Sequence, residues 1–193
     1  MSDSKKSKTN IFVKMLGIAP LALGPIVSYN AIKISLNSAY LNNLIAPHVP
    51  QVWDFEGKIT SLIIVSILLS AFASLCVVGT IVGRYITLSP NPLVRQDPPM
   101  ILFFNRVLLN TLEQFAIFFP ILAYWTLKFS TEANKHEVLI FGMIWIISRV
   151  IYLIGYGFNF ISTRLSTFRV FGFQTGLLVA VVLALRIFGK HII

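Results

Sequence analysis

The chain reads as an all-α integral membrane protein with five crossings, and two observations predict it. Hydrophobic residues make up 56% of the 193 positions and charged residues only 12%, about half the usual globular share. The apolar residues also gather into five long runs: Ile11–Ile34, Ile59–Tyr85, Met100–Leu127, Val138–Phe158 and Val170–Phe188. Each approaches or exceeds the ~20 residues that cross ~30 Å of hydrocarbon at ~1.5 Å per residue. Helices satisfy their backbone groups internally, which is what a bilayer demands of a spanning segment. One polytopic helical domain accounts for the pattern.

The elements follow in order. Residues 1–10 are polar and basic and read as a disordered tail. The first run, residues 11–34, carries Lys14 and is interrupted by Pro20, Gly24 and Pro25. Its layout is that of a signal peptide, but no convincing small-x-small cleavage site follows, so it reads as a retained, kinked signal-anchor helix. The connection around Ser35–Lys58 is modest and leaves no room for a soluble domain. Residues 59–188 then supply four crossings, at about 59–85, 100–127, 138–158 and 170–188. Cys76 is the sole cysteine, so no internal disulfide framework exists. Inside an apolar run it reads as a small packing residue, since apolar surroundings keep a thiol protonated.

The net charge of +9 does not point to nucleic acid, because the basic residues stand singly at helix ends and loops. With the N-terminus in the cytosol, the cytosolic flanks hold Lys5, Lys6, Lys8, Lys14, Arg84, Arg95, Arg164 and Arg169. The other side holds Lys33, Lys58, Lys128, Lys135, Arg186 and Lys190, a bias of eight to six that weakly favours this orientation. His48, His136 and His191 are scattered, and no metal-spaced cluster, Walker loop, dinucleotide fingerprint or internal repeat is present.

Two basic residues, Arg106 and Arg149, lie inside apolar runs. In FFNRVLLNTLEQF (residues 103–115), Arg106, Asn110 and Glu113 recur at i, i+4 and i+7, one narrow sector of a helix. In the next run Arg149, Tyr152 and Tyr156 recur at i, i+3 and i+7, beside Ser148. A charge at mid-bilayer costs about 2.5–3.5 kcal/mol on insertion scales, so such stripes face protein, a partner or a cavity rather than lipid. Two readings stay open. The stripes are interhelical glue, with Glu113 paired to Arg106 or Arg149. Or they line a pocket for a small anionic ligand, with guanidinium forks for carboxylates and Glu113 for an ammonium.

The motif RVLLNTLE (106–113), followed one helix later by RVIYLIGY (149–156), resembles the MAPEG family, the membrane-associated proteins of eicosanoid and glutathione metabolism. The resemblance runs from about Ile59 to the C-terminus. It implies a four-helix membrane core, here preceded by one extra N-terminal helix, that assembles as a homotrimer. It implies glutathione, as co-substrate or ligand, in clefts between subunits near the cytosolic side, contacted by Arg106, Asn110, Glu113, Arg149, Tyr152 and Tyr156. The family's thiolate-stabilising arginine corresponds by position to Arg164, although the intervening GFNFIST (157–163) departs from the family pattern. A cation there would lower the thiol pKa and favour the nucleophilic thiolate. The extra helix, SRVIY (148–152) and FRVFGF (168–173) look like the five-helix, mattrin-type branch, which is tied to endomembrane trafficking rather than to an established activity. The resemblance thus implies either a glutathione transferase or peroxidase acting on a lipophilic electrophile, or a membrane protein without turnover. Either would sit in endoplasmic reticulum, Golgi or lysosomal membranes.

Overall fold

The computed structural model describes residues 23–87, 97–157 and 168–191, and every regular element among them is helical. In chain order these are α1 (23–36), α2 (Ala39–Ile45) with a 3-10 turn at Ala46–His48, and α3 (Phe55–Ile86). Then come α4 (Pro99–Phe129), a second 3-10 turn at Glu132–Asn134, α5 (His136–Gly157) and α6 (Phe168–His191).

The four runs expected between residues 59 and 188 overlie the four long helices, with ends that differ by a few residues. Several of the added residues, among them Glu56, Lys58, Lys128 and Glu137, are charged and drop out of a hydrophobicity reading. Asp54 caps α3 by accepting from the Gly57 amide at 2.9 Å, and Glu56 sits in the first turn where the helix dipole favours a negative charge. Pro99 opens α4, where its missing N–H costs nothing. Pro120 lies inside α4 without ending it, as neighbouring helices permit in a membrane span.

Among the described residues, four helical segments are long and apolar enough to cross a membrane: Phe55–Ile86, Pro99–Phe129, Glu132–Gly157 and Arg169–Gly189. Their outer faces expose large hydrophobic side chains such as Ile67, Leu75, Leu109 and Leu185. The chain is therefore an integral membrane protein, since water would not tolerate such a surface. Of the fifth crossing expected at residues 11–34, the structure describes α1 from residue 23; the basic tail and the start of that run lie outside the described residues. The 35–58 connection is more ordered than a plain loop. Ser38 caps α2 by accepting from the Leu41 amide at 3.3 Å, and Ile45 and Val49 are buried in the main core.

That core joins α3, α4, α5 and α6 around aromatic pairs. Phe118 stacks on Trp145 at 5.5 Å, and Trp125 meets Phe141 edge-on at 5.9 Å. A smaller cluster of Phe72, Cys76, Val107 and Tyr152 lies toward the other end of the bundle. Cys76 is buried there among apolar neighbours, as expected of a packing residue.

Helices α5 and α6 approach most closely at Gly172. A β-carbon there would come within 2.5 Å of the Ser148 carbonyl and the Tyr152 amide, so only glycine lets the two backbones meet. Along α6 also runs α1, in the same direction. Ser28 and Thr175 share a hydrogen bond of 2.7 Å, and the Gln174 amide fills the space left by Gly24.

Candidate functional site

The two polar stripes meet at the end of the bundle where α3 and α5 finish and α4 and α6 begin. Helices α4, α5 and α6 bring Asn110, Tyr152, Tyr156, Arg169, Val170 and Phe173 around a cleft of about 420 Å³. Arg106 stands at its rim, donating from Nη1 to the Tyr156 hydroxyl at 3.3 Å. The Arg169 guanidinium lies 5.3 Å from the Tyr156 ring centre, within reach of its negative face.

Arg149 is fully buried behind this cleft. Its three nitrogens find three neutral acceptors. Nη1 donates to Asn110 Oδ1 at 3.1 Å, Nη2 to the Gly172 carbonyl at 2.7 Å, and Nε to Ser148 Oγ at 3.3 Å. The cation is flanked by the Trp145 and Tyr152 rings, at 5.2 and 5.4 Å. A notch in α6 receives it. A β-carbon at Gly176 would collide with Arg149 Nη2 and lie 2.7 Å from Gln114 Oε1 and 2.9 Å from Ser148 Oγ. Gly172 and Gly176, one helical turn apart, thus admit the α5 backbone and then the guanidinium.

The polarity of the cleft follows from Arg149. Arginine carries only donors, so the group facing Nη1 must be the Asn110 oxygen. Asn110 then has its Nδ2 left to donate. Tyr156 accepts from Arg106, which leaves its own proton to donate. The cleft is consequently rich in donors (Asn110 Nδ2, the Tyr152 and Tyr156 hydroxyls, Arg169 and Arg106), and no carboxylate lines it among the described residues. Such a lining favours an oxyanion over a cation.

Among the described residues, Glu113 pairs with neither Arg106 nor Arg149, which corrects the glue arrangement that the sequence allowed. Glu113 and Arg106 instead reach the surface of the single chain, while Asn110 and Tyr156 are half-buried and Tyr152 is buried. Spacing alone cannot show this, because a stripe one sector wide still spans a buried and an exposed edge. Arg164, the expected thiolate-stabilising residue, lies outside the described residues.

The sequence does not single out three participants as site residues. Arg169 reads there only as a flanking charge. Gln114, buried with Nε2 donating to the Phe173 carbonyl at 3.4 Å, is one residue beyond the stripe. The Gly172/Gly176 pair carries a readable signal, the i, i+4 glycine spacing that lets membrane helices close up. Its partner is not readable.

The MAPEG family profile matches residues 59–189, which takes in nearly all of the four long helices and every described residue of the cleft. No curated protein and no solved structure matches the chain.

Proposed function

The chain belongs to the MAPEG family, and from that premise we propose that the donor-lined cleft binds glutathione at the membrane surface. The observation that carries the proposal is the donor surplus created by Arg149 turning the Asn110 amide outward. Glutathione presents two carboxylates, an ammonium and a thiol. Arg106, Arg169, Asn110 Nδ2 and the tyrosine hydroxyls suit the carboxylates. Glu113, exposed one turn along α4 from Asn110, suits the ammonium. Arg149 acts through Asn110 as a positioning residue, since its own guanidinium is sealed from any ligand.

The cleft opens on the surface of the single chain, and the arrangement we propose is a homotrimer in which a neighbouring subunit closes it. The second substrate is a lipophilic electrophile entering from the bilayer. In the conjugating reaction the thiol gives up its proton and the sulfur pair forms a carbon–sulfur bond. The displaced pair leaves with the leaving group, or stays on an opened oxygen that then takes a proton. Arg164 is the residue assigned to hold the thiolate. The membrane is an endomembrane with the N-terminus cytosolic.

A second reading has an observation of its own. Each guanidinium nitrogen of Arg149 meets a neutral acceptor, which equally suits a mattrin-like protein that binds a ligand or cements an assembly without turnover. Purified protein titrated with glutathione, with binding followed by calorimetry and thiolate by ultraviolet absorbance, separates the readings. Binding with a thiolate signal that Arg164→Ala abolishes supports the enzyme. Binding without a thiolate supports the regulatory protein, and no binding at millimolar glutathione ends both glutathione readings.

A further inference from the structure

At the opposite end of the bundle, a second cleft of about 480 Å³ lies between α1, the start of α5 and the end of α6. Ile32, Leu36, Val182 and Leu185 give it apolar walls, while Lys33, Arg186 and Glu137 give it a charged rim. Arg186 Nη1 is ion-paired with Glu137, and its guanidinium packs over the Phe141 ring at 5.4 Å. Lys33 makes no ion pair among the described residues. The three charges leave a surplus of one positive charge, and the Glu137 carboxylate is already taken. Apolar walls below a cationic rim match an amphiphile with a hydrocarbon chain and a monoanionic head.

The position favours a membrane lipid as the source. The cleft sits at the ends of helices that cross the bilayer, at headgroup depth, where a lysine and an arginine are placed to pair with a phosphodiester. The α1 wall (Ile32, Lys33, Leu36) also falls outside residues 59–189, so half of this cleft is an addition to the family core. We propose that the α1–α5–α6 cleft is a binding site for an anionic phospholipid, its phosphodiester on Lys33 and Arg186 and one acyl chain along Leu36, Val182 and Leu185. The site is independent of the glutathione cleft. It would fasten α1 to α6 beyond the Ser28–Thr175 hydrogen bond.

Full-length protein is exchanged into phosphatidylcholine nanodiscs with or without phosphatidylglycerol, then released and read for retained lipid by native mass spectrometry. Phosphatidylglycerol is expected to be retained in preference to phosphatidylcholine. Lys33→Gln should cut that retention about fivefold, the worth of one basic side chain at a lipid surface. Lys33→Arg should keep the retention, and Leu185→Trp, which fills the wall, should lower it with the rim intact. Lys128→Gln, at the same end of the bundle but outside the cleft, should change nothing. Equal retention of both lipids, wild-type retention by Lys33→Gln, or an equal loss with Lys128→Gln would overturn the proposal. Displacement of the lipid by inorganic phosphate would also overturn it, by assigning the rim to a soluble phosphate. None of these readouts involves glutathione, so failure here leaves the first cleft untouched.

Discussion

Two arginines, one at each end of the bundle, carry the same charge and are handled in opposite ways. Arg186 is partly exposed and meets a carboxylate, Glu137. Arg149 is fully buried and meets an amide, a hydroxyl and a backbone carbonyl. Burial is where a carboxylate partner would be worth most, because a desolvated cation costs several kcal/mol unless matched. The chain withholds it there. A carboxylate in place of Asn110 would neutralise the arginine and present no donor to the cleft. The amide leaves the charge uncancelled and Nδ2 free to donate, an arrangement that fits the proposed ligand-binding role.

Four substitutions sharpen or break this contrast. Arg149→Met, which keeps volume and removes charge, should weaken glutathione binding about tenfold or more, as expected for loss of a charge-assisted hydrogen bond and the orientation it imposes. Calorimetry checks it, and wild-type affinity would show that Arg149 is only structural. Gly172→Ala should destabilise the fold by about 1–3 kcal/mol through forced separation of α5 and α6, read as a lower unfolding temperature in detergent. Tyr156→Phe removes the acceptor for Arg106 and a donor to the cleft, and should weaken glutathione binding about threefold in the same titration. Glu137→Gln should shift stability by less than about 1 kcal/mol, since both partners are partly solvated, and should leave glutathione affinity unchanged. A large loss of affinity from Glu137→Gln would mean that the two ends are coupled and the contrast is false.

The four core crossings are legible in the sequence because an apolar run as long as a bilayer is thick is rare in a chain that does not span one. Their ends are less so, because caps such as Asp54 are polar and drop out of a hydrophobic window. The stripes are legible as faces, and Arg149, Asn110, Tyr152 and Tyr156 do converge. What spacing cannot supply is depth. Arg106 and Arg149 look equivalent in sequence, yet one is exposed and the other sealed, because α5 is walled in by α6 at Gly172 and Gly176 while the Arg106 face of α4 is not. The partner of each charge is equally hidden, since Glu113 is near in sequence to the site but makes no ion pair with Arg149 among the described residues. The polar pairing of α1 with α6 through Ser28 and Thr175 joins residues 147 positions apart, a contact no local pattern encodes.

The proposed ligand site depends most directly on the Asn110 amide, and Asn110→Asp tests that dependence with almost no change of shape. The carboxylate would meet Arg149 as Glu137 meets Arg186, raising the unfolding temperature by about 2–4 °C for each kcal/mol gained. It would also remove the outward donor and place negative charge beside the ligand's own. The expected variant is more stable and binds glutathione at least about tenfold more weakly. A variant that binds glutathione like the wild type would contradict that dependence.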